Sequence, residues 1–216
     1  MGSRKPTSLW GFIAAALAVL ALGVSLTVMF AGESGGSTRL YLAVARWELF
    51  ELGHVISEIA LLSLVAAWMA AAAILLWRKR IETLFRLLAG GAGSVLAYAS
   101  SEALKLVFTQ TRPCTTQDVL AACPPAENWS YPSNHTVIAA ALAISMVLAI
   151  PFSAVFTVPL AFFAGAARVL AGHHYPHDVI AGMILGISVT AAVVLVTSPL
   201  LQRQPARSMT LHKGSV

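Results

Sequence analysis

The chain has 216 residues, of which 58% are hydrophobic and only 11% are charged, and its formal net charge is +5. Charged residues make up about a quarter of an average soluble domain, so this composition argues against a water-soluble protein. Several uninterrupted apolar runs indicate instead that much of the chain lies in a lipid bilayer.

Six apolar segments follow one another along the chain, and we predict that each crosses the membrane as a helix. They comprise residues 8–31, 54–77, 83–108, 134–150, 153–171 and 177–200. At about 1.5 Å per residue, the shortest uncharged runs reach only about 22 Å of a hydrocarbon core of about 30 Å, so their helices must carry polar residues into the membrane edge. The predicted fold is an all-α membrane protein, a six-transmembrane-helix bundle in one domain over residues 1–201. A polar tail follows over residues 202–216.

The orientation of these helices is predicted from clusters of lysine and arginine, which favour the cytoplasmic side. With six spans, three clusters fall on one side: Arg4 and Lys5; Arg78, Lys79, Arg80 and Arg86; and Arg203, Arg207 and Lys213. Both termini are therefore expected in the cytoplasm of a multi-pass cell-membrane protein. The segments 32–53, 109–133 and 172–176 then face the periplasm or the cell exterior, with a flexible turn at 31–38. The basic clusters suit contact with anionic lipid rather than nucleic acid.

Both cysteines, Cys114 and Cys123, lie in the outward segment 109–133. The outer side of a cell membrane is oxidising, so we expect a disulfide between them. The alternative is a pair of free thiols.

Polar residues gather in three clusters at the outward helix ends. They are "SSEALKLVFTQTRP" with Glu102, Lys105 and Arg112, "YPSNH" with His135, and "ARVLAGHHYPHD" with Arg168, His173, His174, His177 and Asp178. Taken singly, each residue has a structural explanation as a membrane anchor, a helix cap or a partner of a helix dipole. Their gathering on one membrane face favours a functional site.

The three cations suit a doubly charged phosphate group. Ser133 is placed to cap the helix that starts after Pro132, and the free N–H groups near Asn134 and His135 would then form an anion site. The predicted phosphate-binding residues are therefore Lys105, Arg112, Ser133, Asn134 and Arg168.

The spacing of His174 and Asp178 predicts the reactive group. The two residues are four apart, and Pro176 between them suits the first turn of a helix, so the carboxylate can fix the tautomer of the imidazole. The other ring nitrogen of His174 can then attack phosphorus and form a phosphohistidine, while His135 protonates the leaving group. Metal binding by these histidines remains an alternative, but the surrounding positive charge disfavours it. We expect no metal and no other cofactor.

These residues match a known pattern in order and spacing. Lys105 precedes Arg112-Pro113 by six residues, "PSNH" ends at His135, and five residues separate Arg168 from His174, which precedes Asp178 by three. This resembles the type 2 phosphatidic acid phosphatase (PAP2) superfamily, with motifs KxxxxxxRP, PSGH and SRxxxxxHxxxD. The resemblance implies a metal-independent membrane phosphatase with an outward-facing site. It gives His174 the role of nucleophile, His135 that of acid and Asp178 that of orienting partner.

Two positions depart from the family pattern, namely Ala167 in place of serine and Asn134 in place of glycine. Two acidic residues lie outside the motifs. Glu102 precedes Lys105 by three residues and is either a helix-surface partner or a group that tunes substrate binding. Glu58, inside the second predicted span, is similarly ambiguous.

A site level with the lipid interface suits a substrate with its head in water and its tail in lipid. A polyprenyl diphosphate, released outside the cell when glycan units are transferred, is the substrate we predict. Phosphatidic acid, phosphatidylglycerophosphate and a prenyl-linked sugar phosphate are alternatives. Two other functions stay open: a lipid-phosphate transporter or binding protein without catalysis, and an enzyme that transfers phosphate to an acceptor other than water.

Overall fold

The computed structural model describes residues 35–117, 119, 122–125 and 127–202, together with Gly23. Within this part of the chain every regular element is helical. In chain order the helices are α1 Gly36–Ala45, α2 Phe50–Trp77, α3 Ile81–Phe108, α4 Pro113–Thr116, α5 Asn134–Ala149, α6 Ala154–Leu170 and α7 Pro176–Gln202, with a 3₁₀ turn Pro151–Ser153 before α6.

The all-α prediction is confirmed for the described residues. The five predicted segments that fall there coincide with α2, α3, α5, α6 and α7, and the largest difference is that α2 begins at Phe50 instead of residue 54. The predicted segment 8–31 lies outside the described residues except for Gly23, as do residues 203–216 of the tail. The count of six spans therefore stays a prediction.

Among the described residues, three stretches are long and apolar enough to cross a membrane, namely Phe50–Trp77, Pro151–Leu170 and Pro176–Ser198. The chain is therefore a membrane protein. α3 has 28 residues, or about 42 Å at 1.5 Å per residue, but it carries charged side chains near both ends. α5 is apolar but has only 16 residues, about 24 Å.

The predicted flexible turn at 31–38 is wrong for its last three residues, which begin α1. The side chain of Ser37 lies against His177, with 2.7 Å between Oγ and Nδ1, and Thr38 is buried. Further along α1, the Tyr41 hydroxyl donates to the carbonyl of Gly172 at 3.3 Å. These contacts with Gly172 and with the first turn of α7 fix a stretch whose glycines and serines alone predict a turn.

α5 lies at the centre of the bundle. It packs against α3, α6 and α7, while α3 and α7 also pack on each other and α2 packs mainly on α6. Its buried positions are mostly small, including Ala139, Ala140, Ala141 and Ala143. Small residues let helix backbones approach closely. In a membrane, where the hydrophobic effect does not drive helices together, such close packing stabilises their association.

Two features of this packing carry polar groups to one end of the bundle. On α3 a buried stripe of small residues runs through Gly90, Gly93, Ala97 and Ser101 to Lys105, at a spacing of three or four that keeps them on one helix face. On α7, a Cβ at Gly182 would lie 2.8 Å from the carbonyl oxygen of Ser133. Glycine there lets the start of α5 lie directly against the first turns of α7.

Candidate active site

The three predicted clusters meet at one end of the bundle. Lys105 lies in the last turn of α3, His135 in the first turn of α5, Arg168 in the last turn of α6 and Asp178 in the first turn of α7, while Arg112 and His174 lie in the connecting loops. The charges of Arg112, Arg168 and Lys105 all act on His174, and that of Arg168 also acts on His135. Residues separated by up to 73 positions thus share one site.

The tautomer of His174 follows from its contact with Arg112. Nη1 of Arg112 lies 2.9 Å from Nε2 of His174. A guanidinium has no acceptor, so Nε2 must carry the lone pair and Nδ1 the proton. Nδ1 lies 3.5 Å from Oδ2 of Asp178 and 3.4 Å from Oγ of Ser130. Burial, and then the charges of the neighbouring cations, hold the pKa of His174 well below its ordinary value of 6.5, so the ring is neutral at neutral pH.

Asp178 is fully buried and its two oxygens are held by several donors. Oδ2 accepts hydrogen bonds from the Ser130 hydroxyl and, at 2.9 Å, from the backbone N–H of Tyr175. Oδ1 accepts from the amide of Gln110 at 3.2 Å and lies 3.1 Å from Nε2 of His177. The predicted reach of the carboxylate toward His174 is present, but at 3.5 Å it is longer than a good hydrogen bond, and the Ser130 hydroxyl lies within reach of both side chains.

Sequence reasoning did not find Ser130 or Gln110. Ser130 lies 48 residues from Asp178 and Gln110 lies 68 residues from it, so no local spacing connects them. Gln110 falls inside the first motif and Ser130 lies two residues before Pro132. Their closeness to the motifs was the only sequence feature that could have indicated a place in the site.

The two other histidines of the third cluster have different surroundings. His177 is buried between Ser37 of α1 and Gln110. Nε2 of His173 lies 2.9 Å from the carbonyl oxygen of Ala122, and burial and the nearby Arg168 charge lower the pKa of His173 to about 4. Of the three imidazole rings, that of His174 lies within hydrogen-bond distance of the Arg112 guanidinium.

Arg112 is a buried cation whose guanidinium is held by the loop around it. Nε donates to the carbonyl of Asn128 at 2.8 Å, Nη2 donates to the Asn128 side chain at 2.9 Å, and Nη1 donates to the carbonyl of His173 at 3.0 Å. These bonds fix the fork geometry beside His174. The predicted disulfide between Cys114 and Cys123 is present and lies in the same loop, directly after the first motif.

Arg168 is also buried, with 5% of its surface exposed, yet its Nε and Nη1 have no hydrogen-bond partner among the described residues. The nearest carboxylate is that of Glu58, whose Oε1 lies 3.8 Å from Nη1. A buried guanidinium without acceptors is costly in free energy. An oxyanion beside it would supply the missing acceptors.

Lys105 pairs with Glu102 on the same helix, with 3.2 Å between Nζ and Oε1. The side-chain amide of Asn134 donates to the same oxygen at 2.6 Å and accepts from the Ser101 hydroxyl at 2.7 Å. Asn134 is therefore turned toward α3. Its predicted contact with a phosphate stays a prediction, and Glu102 is paired with Lys105, the lysine that is predicted to bind phosphate.

Ser133 occupies the N-cap position of α5, but its side chain does not cap the helix as predicted. Its hydroxyl accepts from the Thr136 hydroxyl at 3.1 Å, and its N–H donates to the carbonyl of Asp178 at 3.1 Å. α7 approaches this turn closely at Gly182, where a Cβ would lie 2.8 Å from the Ser133 carbonyl oxygen and 3.1 Å from Cβ of Thr136. The N–H groups of Asn134 and His135 in the first turn have no acceptor within the helix.

Glu58 lies against the remaining motif histidine. Its Oε1 is 2.8 Å from Nε2 of His135. Each of the two histidines that match the family motifs therefore lies beside a carboxylate, His174 beside Asp178 and His135 beside Glu58. Among the described residues no group of three or more His, Cys, Asp and Glu side chains is arranged to hold a metal ion. The expectation of metal-free chemistry stays a prediction.

Fold and site together define a helical membrane protein with buried cations and several imidazoles gathered at one end of the bundle. Residues 84–201, more than half of the chain, match the PAP2 superfamily. The chain therefore belongs to the PAP2 superfamily, as its motifs suggest.

Two relatives and one solved structure illustrate the relationship. The chain is 32% identical to undecaprenyl-diphosphatase BcrC of Bacillus subtilis over 113 residues, covering 51% of this chain and 55% of that protein. It is 34% identical to decaprenylphosphoryl-5-phosphoribose phosphatase of Mycobacterium tuberculosis over 123 residues, covering 56% of this chain and 64% of that protein. The chain thus matches less than two thirds of the length of either relative.

The fold is also that of a solved structure, the transmembrane PAP2-type phosphatidylglycerolphosphate phosphatase from Bacillus subtilis. The TM-score is 0.59 at 21% sequence identity, and the match covers 89% of this chain and 98% of that one.

Proposed function

We propose that this protein is a membrane lipid phosphatase that removes the terminal phosphate of a polyprenyl diphosphate through a phosphohistidine intermediate. One observation carries the proposal. A neutral, lone-pair nitrogen of His174 lies beside Arg112, and the buried Arg168 nearby has unpaired nitrogens that suit a phosphate.

In the first step Nε2 of His174 attacks the terminal phosphorus, a P–N bond forms, and the bond from phosphorus to the bridging oxygen breaks. The electron pair goes to that oxygen, which takes a proton from His135. In the second step water attacks the phosphohistidine, His135 accepts the proton of the water, and inorganic phosphate leaves with His174 restored. Lys105, Arg112 and Arg168 stabilise the charge on the equatorial oxygens.

Asp178 acts in this scheme as the partner that keeps the proton on Nδ1 of His174. It also stabilises the positive charge that develops on the ring as the P–N bond forms. Burial of both side chains, at 2% and 0% exposure, supports this role because a dry site strengthens the interaction.

The choice of a polyprenyl diphosphate rests on the undecaprenyl-diphosphatase relative and on the apolar surroundings of the site. Six spans with both termini in the cytoplasm would place the site on the periplasmic or extracellular face. The disulfide between Cys114 and Cys123 supports that orientation, because disulfides persist on the oxidising side.

A prenyl-linked sugar phosphate is the second candidate. The carboxylate of Glu102 is about half exposed, at 48%, beside the buried Lys105. A carboxylate at that position suits the hydroxyl groups of a sugar better than a second phosphate. The mycobacterial relative acts, by its name, on such a phosphoribose lipid.

A phosphate-release panel in detergent tests the proposal. Purified protein would be given a polyprenyl diphosphate, a polyprenyl-linked sugar phosphate, phosphatidic acid and phosphatidylglycerophosphate, each with a metal chelator. We expect the highest kcat/KM with the diphosphate and an acid-labile ³²P label on His174 when terminally labelled substrate is quenched early. A strict need for added divalent metal would contradict the phosphohistidine route. Tight binding without phosphate release would favour the transporter or binding protein.

A further inference from the structure

Glu58 is the one acidic residue of the site that comes from outside the segment matching the family. It lies on α2, whereas the family match begins at residue 84. The surrounding helix is strongly apolar, and a carboxylate in such a helix is costly unless it has a partner or a function. Glu51, two turns earlier on the same helix, is exposed and forms no hydrogen bond or ion pair with the site residues that the structure describes.

The position of Glu58 is fixed by the packing of α2 on α6. A Cβ at Gly53 would lie 2.5 Å from the backbone nitrogen of Ala171, and the Ser57 hydroxyl donates to the carbonyl of Ala164 at 3.4 Å. Close backbone contact of this kind leaves little freedom to the turn that carries Glu58. The carboxylate is thus held against α6 and the start of α5.

From that position the carboxylate of Glu58 lies close to two residues of the proposed mechanism. Oε1 lies 2.8 Å from Nε2 of His135 and 3.8 Å from Nη1 of Arg168. A carboxylate is an acceptor, so the hydrogen bond requires a proton on Nε2 of His135. The arrangement mirrors the pair at His174, where Asp178 faces the ring nitrogen that does not react.

We propose that Glu58 is a positioning residue for the acid step, an inference that rests on the proposed phosphatase function. It orients the His135 ring through Nε2–H and stabilises the imidazolium form. The opposite nitrogen, Nδ1, then gives its proton to the leaving oxygen as the bond to phosphorus breaks. In the hydrolysis step the same nitrogen takes a proton from water, and the hydrogen bond to Glu58 stays in place throughout.

Substrates with different leaving groups distinguish a role of Glu58 in the acid step from a purely structural role. An alkoxide needs a proton as it leaves, whereas a phenolate leaves without one. The test compares dodecyl phosphate with 4-dodecylphenyl phosphate, which present the same tail and the same phosphoryl group. We expect Glu58→Gln to lower kcat/KM about 100-fold for the alkyl ester and less than about threefold for the aryl ester. Glu58→Asp should recover part of the alkyl rate, and Glu51→Gln is the matched control with unchanged rates.

A double-mutant cycle completes the test. His135→Ala should show the same selective loss, and Glu58→Gln added to His135→Ala should cause no further loss, because the two side chains act as one unit. Equal slowing of both esters by Glu58→Gln, or additive losses in the double variant, would overturn the inference. The aryl rate also reports that each variant is folded.

The experiment separates two kinds of failure. If the unmodified protein releases phosphate from neither ester nor from any lipid of the panel, the proposed function falls. If it is active and His135→Ala is selective while Glu58→Gln is not, only the role of Glu58 falls.

Discussion

The two histidine–carboxylate pairs of the site differ in burial and in origin. The side chains of His174 and Asp178 are 2% and 0% exposed and lie four residues apart, at the start of one helix. Those of His135 and Glu58 are 28% and 39% exposed and lie 77 residues apart, on two helices. A nucleophile benefits from a dry, rigid setting, whereas an acid must exchange its proton with water in each cycle. The difference in exposure suits the proposed division of work.

Removal of the buried imidazole should have the largest effect. His174→Ala is expected to lower the rate of phosphate release by about 10⁴-fold or more, since it removes the group that is proposed to form the covalent intermediate. The matched control is His173→Ala, which removes a neighbouring imidazole and should change the rate less than about tenfold. Comparable losses in both variants, measured with the same lipid in detergent, would contradict the assignment.

The next largest loss should come from the buried carboxylate. Asp178→Asn is expected to lower kcat on the order of 10³-fold, because an amide no longer fixes the proton on Nδ1 of His174 or stabilises its positive charge. Unlike Glu58→Gln, this variant should slow alkyl and aryl esters equally, since it acts on the attack at phosphorus. A selective loss with the alkyl ester would show that the two pairs do not divide the reaction as proposed.

Ser130 should contribute a smaller amount to the buried pair. Its hydroxyl donates to Asp178 and lies 3.4 Å from Nδ1 of His174, so Ser130→Ala leaves a buried carboxylate with one donor fewer. A hydrogen bond to a charged group is worth about 1.5–3 kcal/mol, and we expect a loss of about tenfold in kcat with recovery in Ser130→Thr. The control Ser94→Ala removes a buried hydroxyl that bonds within α3 and should leave kcat unchanged. Loss of activity in that control would point to a general packing defect.

The pH dependence of kcat/KM tests the proposed role of His174 in the unmodified protein. Burial and three cations lower the pKa of His174 below 6.5, so its neutral, nucleophilic form persists as the pH falls past that value. On the acid side, kcat/KM should therefore begin to fall only below pH 6.5. This comparison requires a correction for the ionisation of the substrate phosphate, which is measured separately by ³¹P chemical shift. An acid limb above pH 7 would indicate that another group controls the nucleophile.

The elements that sequence reasoning predicted well are those governed by local spacing. Apolar runs predicted α2, α3, α5, α6 and α7, and the start of α7 at Pro176 with Asp178 in its first turn followed from the preference of proline for that position. The motif residues meet because each motif lies at a helix end, and helix ends are visible in the sequence.

What could not be predicted depends on contacts between distant segments. Glu58 meets His135 across 77 residues, and Ser130 meets Asp178 across 48. The first three residues of α1 lie in the predicted turn 31–38, and the contacts of α1 with His177 and Gly172 come from the far end of the chain. Tertiary contacts of this kind produce no periodic pattern in the sequence from which they could be predicted.

The attachment of α2 to the periphery of the bundle has a consequence for how such enzymes diversify. His174 precedes α7 and Asp178 lies in its first turn, and α7 packs on α3 and α5 in the small-residue core. The carboxylate that serves the acid lies on a helix that contacts this core chiefly through α6. In the proposed mechanism, protonation of the leaving group can therefore be retuned by exchanging one outer helix, while the residues proposed to attack phosphorus stay unchanged.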